Sequence, residues 1–263
     1  MTVPCTSSRS RLLAACRIIR PSPGIDANFR PDQVPVTWRD PDEGGASVRV
    51  ETTDEATLAE TADKTVDDAE ATVTVIGAEA TVTIDGDRVI KRRNPREYRH
   101  PTLDTRLRRE RTRQEARLTQ EARQSGVPTP LIRDIDIDET TLVFQYVGEC
   151  DLRKTLTEAS VETVAEHLAR IHEAGFVHGD LTTRNVRVGK GGTPVFFIDF
   201  GLGYYTDDPE DYAMDLHIFA QSLAGTTDDA ETLMELAEDA YLSAGEETVI
   251  DQLREIEGRG RYQ

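Results

Sequence analysis

Three oxygen-bearing residues, Asp180, Asn185 and Asp199, fall in an order that suits chemistry at a phosphate. They sit in two short words, His178-Gly179-Asp180-Leu181-Thr182-Thr183-Arg184-Asn185 and Asp199-Phe200-Gly201. A carboxylate beside a hydroxyl or water orients it and accepts its proton late in a loose phosphoryl-transfer transition state, the role read here for Asp180. The Asn185 amide and the Asp199 carboxylate offer hard oxygens. Mg²⁺ accepts such donors while keeping several waters, so the pair reads as a metal site facing ATP phosphates. Each word alone is weak, and Asp180 with Asn185 could merely shape a turn. Order and spacing together make the signal specific. Lys91 ends the β-type run Val89-Ile90-Lys91 and is one of four lysines among 31 basic residues. A compact ammonium suits contact with α- and β-phosphates while paired with a helix glutamate. Glu110 and Glu115 both lie near the expected inner face of that helix, with Glu115 bracketed by Leu107 and Leu118.

The elements that must position these groups follow from periodicity. Val73–Ile76, Thr81–Ile84 and Arg88–Lys91 are short β-rich runs, separated by Gly77 and by the hairpin signal Asp85-Gly86. A helix follows Pro101, with Leu103, Leu107, Gln114 and Leu118 on one stripe, and ends at Gly126 and Pro128. A second strand pair, Leu131–Ile137 and Thr141–Val147, turns at Asp138-Glu139. Helices are expected over 160–174, 210–224, 228–243 and 246–257, with a strand at Val195–Ile198 leading into Asp199. Strands first and helices after give an α+β, two-lobed plan: a small β-rich N-lobe over 73–148 and a reduced helical C-lobe over 149–263. A nucleotide cleft belongs between them. Residues 40–72, rich in Asp, Glu, Thr and Ala, have linker composition, and order is expected from about Val73.

Composition limits the setting. The 263-residue chain carries 49 acids against 31 bases, a net charge of −18. An acidic, lysine-poor surface fits a protein kept soluble in concentrated salt, where self-repulsion is screened. Such a chain avoids nucleic acid on average. The exception is a basic block over 88–117, which suits RNA or an acidic partner, or else a solvated helix face. Cys5, Cys16 and Cys150 are scattered and read as reduced thiols. No apolar run approaches the roughly 18 residues of a membrane span, and a cytoplasmic location is expected.

Longer words carry a resemblance. They are Gly77-Ala78-Glu79-Ala80, Ile90-Lys91, Tyr98-Arg99-His100-Pro101, Arg111-Thr112 with Glu115-Ala116-Arg117, and the Asp180 and Asp199 words. Glu210-Asp211, Asp215-Leu216 and the tail Arg259-Gly260-Arg261 complete the set. Over about residues 73–262 the chain resembles the small atypical kinase/ATPase subunit of the KEOPS complex, the PRPK group. The resemblance implies a protein-kinase-like fold and an ATPase with Ser/Thr kinase activity. It further implies support of threonylcarbamoyladenosine formation at position 37 of tRNA, with a threonylcarbamoyl-transferase subunit and other KEOPS subunits as partners. Carried over, Asp180 is catalytic, Asn185 and Asp199 bind Mg²⁺, Lys91 holds ATP phosphate, and Glu115 is its partner. Gly77, Ala78, Glu79 and Ala80 form the loop over the nucleotide. Asp26 to Arg39 is similar to the closing residues of the transferase subunit, so residues 1–39 read as a remnant of a fusion.

Gly179 replaces the Arg that docks a phosphorylated activation loop in protein kinases, and only eleven positions separate Asp199 from Glu210. A platform for an extended peptide is not expected. Two other functions compete: a scaffold that binds nucleotide without needing turnover, and a small-molecule phosphotransferase. The latter usually needs a helical insert for which the run after Tyr205 is short.

Overall fold

A computed structural model describes residues 46–51, 71–77 and 79–260. The transferase-like stretch 1–39, most of the expected linker, Ala78 and Arg261 lie outside the described residues. Six strands form one sheet: β1 (Ala46–Glu51), β2 (Ala71–Ile76), β3 (Ala80–Asp85), β4 (Arg88–Arg93), β5 (Ile132–Asp136) and β6 (Thr141–Gln145). Their order is β1-β2-β3-β4-β6-β5. Neighbours from β2 onward are antiparallel, and the β3–β4 turn runs through Asp85, with Gly86 at φ 53°. That left-handed position is one glycine occupies without a steric penalty.

β1 differs from expectation. It forms within the stretch read as linker and pairs in parallel with β2, Ala46 opposite Ala71 and Glu51 opposite Ile76. The outer edge of β2 presents unpaired backbone groups, and the alternating Ser47-Val48-Arg49-Val50 is short enough in polar tracts to pair there.

Helix α1 (Pro101–Gln124) crosses between the two halves. Proline at its first position suits the helix start, and Gly126 at φ 83° ends it. Of the expected stripe only Leu118 is fully buried: Leu103 is 51% exposed and Leu107 and Gln114 are half-buried, while Asp104, Thr112, Glu115, Ala116, Thr119 and Ala122 complete the buried face. The helix buries small and ion-pairing side chains because it packs against a charged site rather than a plain core. Ala116 joins Ile135, Leu142 and Phe144 under the sheet, whereas Leu118 and Ala122 belong to the core of the second half.

That second half holds β7 (Cys150–Asp151), α2 (Glu158–Glu173), β8 (Phe176–Val177), β9 (Val186–Val188), β10 (Val195–Phe197), β11 (Tyr204–Tyr205), α3 (Pro209–Ala224), α4 (Ala230–Leu242) and α5 (Glu247–Gly260). Leu168, Ile171, Phe176, Phe197, Phe219 and Leu253 are fully buried in its core, each contributing about 1.5–3 kcal/mol. β9 and β10 pair antiparallel, and β8 pairs with β11.

His167 in α2 is buried against Phe197. Burial, assisted by Arg170, pushes its pKa down to about 4. The unfolded chain takes this proton below about pH 6.5, but the folded chain refuses it until about pH 4. The stability it supports is therefore complete above pH 6.5 and drains as pH falls toward 4. Thermal melts of His167→Gln are expected to show a shallower loss across that window than wild type; parallel curves would contradict this.

Candidate active site

The β9–β10 hairpin explains how Asn185 and Asp199, fourteen residues apart, come together. Asn185 immediately precedes β9 and Asp199 follows β10 by two residues. With Val186 opposite Phe197, the next pair is Asn185 opposite Ile198, and the Ile198 N–H donates to the Asn185 carbonyl at 3.0 Å. The two expected metal ligands thus emerge side by side. Asp199 sits at φ 63°, a left-handed conformation unusual for a residue with a side chain. Its Oδ1 accepts the Gly201 N–H at 3.1 Å, which holds the carboxylate over the turn. Phe200 anchors that turn, fully buried against the His178 ring.

Lys91 arrives from the sheet, opposite Val82 on one side and Leu142 on the other. Its Nζ donates to Glu115 Oε1 and to Asp199 Oδ1, each at 2.7 Å. Glu115, 1% exposed, also pairs through Oε2 with Arg93. Between the two glutamates left open by the sequence, the structure selects Glu115, since Glu110 is exposed and paired with Arg106. Burial works against the Lys91 ammonium, but Asp199 and Glu115 outweigh it and raise the pKa. Burial likewise opposes the Asp199 carboxylate; Lys91, the Gly201 N–H and Arg93 overcome it and hold the pKa at about 2.

A cavity of about 220 Å³ opens here. Val75, Val82, Ile84, Val89 and Phe144 form an apolar wall, while Lys91, Glu115, Asn185 and Asp199 supply its charged and polar end. Asp180 is not on that wall and joins the group through Asn185, whose Nδ2 donates to the Asp180 carbonyl at 2.8 Å and to Asp180 Oδ2 at 3.0 Å. With its NH₂ so used, the Asn185 amide keeps its oxygen as the remaining acceptor. Two hard oxygens, one on a carboxylate held anionic, fit Mg²⁺ completed by phosphate and water. Among the described residues there is no cluster of three or more His, Cys, Asp or Glu placed to hold a metal ion.

The loop before β3 is placed differently from its reading. The Gly77 N–H donates to the Ala80 carbonyl at 2.9 Å, closing a tight hairpin. Glu79 turns to cations of its own, Arg96 and Arg111, both at 3.1 Å. Gly77, Glu79 and Ala80 do not line the cavity, and Ala78 lies outside the described residues.

Sequence reasoning gave no role to Asp215. This buried carboxylate in α3 accepts the backbone N–H of His178 at 2.6 Å and of Gly179 at 2.8 Å, and also faces His172 at 3.3 Å. The signal was present in the Asp215-Leu216 word but carried no chemistry by itself. Gly179 has φ 81°, and a Cβ there would lie 2.4 Å from the Leu202 carbonyl oxygen, so no side chain fits. The segment after Asp199 folds straight back: β11 pairs with β8, and Asp208 caps α3 through the Glu210 N–H at 3.0 Å.

Most of the basic block is paired with carboxylates of this chain, several of these pairs at the surface. Arg92 pairs with Glu139, Arg108 with Asp104, Arg109 with Asp138, and Arg96 and Arg111 with Glu79. Among the described residues, no helix is long and apolar enough to cross a membrane.

A sheet-borne lysine paired with a helix glutamate, Asp180 in the loop before a hairpin, and Asn185 and Asp199 at that hairpin's ends are the groups expected of a kinase-type site. The chain belongs to the RIO domain family, which matches residues 60–218. A relative from Archaeoglobus fulgidus named "Probable serine/threonine-protein kinase BUD32 homolog" is 35% identical over 175 residues, covering 66% of this chain and 88% of that protein. A relative from Haloarcula marismortui named "Probable bifunctional tRNA threonylcarbamoyladenosine biosynthesis protein" is 58% identical over 244 residues. That match covers 91% of this chain and 41% of the relative, so the chain spans about two fifths of the bifunctional protein's length. The Rio2 kinase–ADP/Mg²⁺–phosphoaspartate complex from Chaetomium thermophilum aligns with a TM-score of 0.47 at 16% identity, over 79% of this chain and 76% of that one.

Removing Glu115 leaves the buried Arg93 without its carboxylate and the part-buried Lys91 with Asp199 alone, so Glu115→Ala is expected to cost about 3–5 kcal/mol. Denaturant unfolding in molar salt measures it, and a loss below about 1 kcal/mol would show that the buried pair does not hold the site together.

Proposed function

We propose that this chain is an atypical ATP-dependent kinase/ATPase domain that supports threonylcarbamoyladenosine formation at position 37 of tRNA, working in the cytoplasm beside a threonylcarbamoyl-transferase subunit within the KEOPS complex. The carrying observation is Lys91 bridging Glu115 and Asp199 at the polar end of the cavity. Kinase-type sites need this link in place before ATP phosphates are held in line. Asp180 orients the attacking hydroxyl or water and takes its proton, with its carboxylate aimed by the Asn185 amide. Lys91 meets the phosphates, and the apolar wall from Val75 to Phe144 receives the base. Asn185 and Asp199 would hold Mg²⁺, which when bound offsets charge on the phosphates.

Length supports the partner. The bifunctional relative matches 91% of this chain and the stand-alone kinase homolog 66%. The residues upstream of the kinase part therefore have a counterpart in the longer protein, in keeping with the reading of 1–39 as the end of a fused transferase. The tRNA is met through that partner or through those arginines of block 88–117 with no hydrogen-bond or ion-pair partner among the described residues, such as Arg113. The short return from Asp199 to α3 favours a second reading, a nucleotide-bound scaffold without required turnover, because it leaves little surface for an extended peptide.

ATP hydrolysis, assayed in molar salt with and without the transferase and tRNA, tests this. Asp180→Asn and Asp199→Glu are each expected to cut turnover by on the order of 100-fold while the fold and assembly survive. If Asp180→Asn leaves tRNA modification intact, the scaffold reading replaces the enzyme.

A further inference from the structure

We propose that Arg184 is a nucleotide-binding residue whose guanidinium contacts the phosphate chain; this rests on the nucleotide reading of the cleft given above. Three cations line the cavity: Lys91, Arg184 and Arg187. Two are committed. Lys91 is neutralised by Glu115 and Asp199. Arg187 is buried and donates to the Tyr146 hydroxyl at 2.7 Å and to the Val147 and Gly148 carbonyls at 3.3 Å. Arg184 alone of the three has no hydrogen-bond or ion-pair partner among the described residues.

Its root is nevertheless fixed. The preceding Thr183 is buried, its N–H donating to Ser222 Oγ at 2.8 Å and its hydroxyl meeting Ser222 and Thr226. The following Asn185 is tied by its own N–H to Thr182 and by its carbonyl to Ile198. A pinned backbone carrying an unattached, half-buried cation into a cavity loses little entropy when that cation finds an anion.

Charge points to phosphate as that anion. Glu115 and Asp199 are both spent on Lys91, and Arg187 is spent on neutral oxygens of the fold, so Arg184 is the wall cation whose hydrogen-bond donors are left for a ligand. The whole chain carries −18 and repels a polyanion at low salt. In molar salt the Debye length shrinks to about 3 Å, and only direct contacts act. A guanidinium supplies one as charge-assisted, often paired hydrogen bonds to phosphate oxygens.

Binding of ATP, ADP and adenosine to the full chain in molar salt, by calorimetry, tests this. Arg184→Ser is expected to weaken ATP and ADP by about tenfold, leave adenosine unchanged, and melt with the wild type. Arg184→Lys, which keeps charge without the fork, is expected to recover part of the loss. Equal ATP affinity in Arg184→Ser, or the same loss for ATP and adenosine, would overturn the proposal while leaving the kinase reading intact. Failure of the wild type to bind any of the three would overturn the kinase reading and this inference together.

Discussion

A single buried carboxylate organises this molecule. Glu115 is withdrawn from water and holds Lys91 with one oxygen and Arg93 with the other. Its partners lie on one strand two residues apart, so both project toward the same helix. The ion cluster therefore joins α1 to the sheet, and Lys91 passes the connection on to Asp199 in the second half. An unpaired charge at this depth costs several kcal/mol, so loss of one member puts strain on the rest.

The second half is ordered from beneath. Asp215 accepts two successive backbone N–H groups at the start of the loop that carries Asp180. His178, whose Nε2 donates to the Ile198 carbonyl at 3.0 Å, ties that loop to the strand leading into Asp199. Its other ring nitrogen accepts the Asp180 N–H at 3.3 Å. Backbone contacts of this sort set where Asp180 and Asp199 start, and the side chains then have few places to go.

The site was legible where geometry follows from local pairing. A hairpin joins Asn185 to Asp199, and an alternating apolar run delivers Lys91, so spacing alone predicts their neighbourhood. Strand and helix positions after residue 71 followed period and turn chemistry closely. The misses share a cause in long-range contact. The helix stripe held at Leu118 but not at Leu103, because the first turns of α1 bury Asp104 and Thr112 instead. β1 pairs with an edge that exists only once β2 and β3 have formed. Glu79, expected in the loop over the nucleotide, is drawn instead to Arg96 and Arg111, far along the chain. Asp215 has no motif chemistry of its own, since its targets are main-chain amides.

Helix α1 is fastened at more than one height. Gln114 Nε2 donates to the Gly203 carbonyl at 2.6 Å, and lower down Tyr205 bonds Glu121. Together with the Glu115 cluster these latches span the helix from the sheet to the segment behind Phe200. All three ties fall in the second half of the helix, so swinging that half outward would break the Glu115 cluster, the Gln114 bond and the Tyr205 bond together.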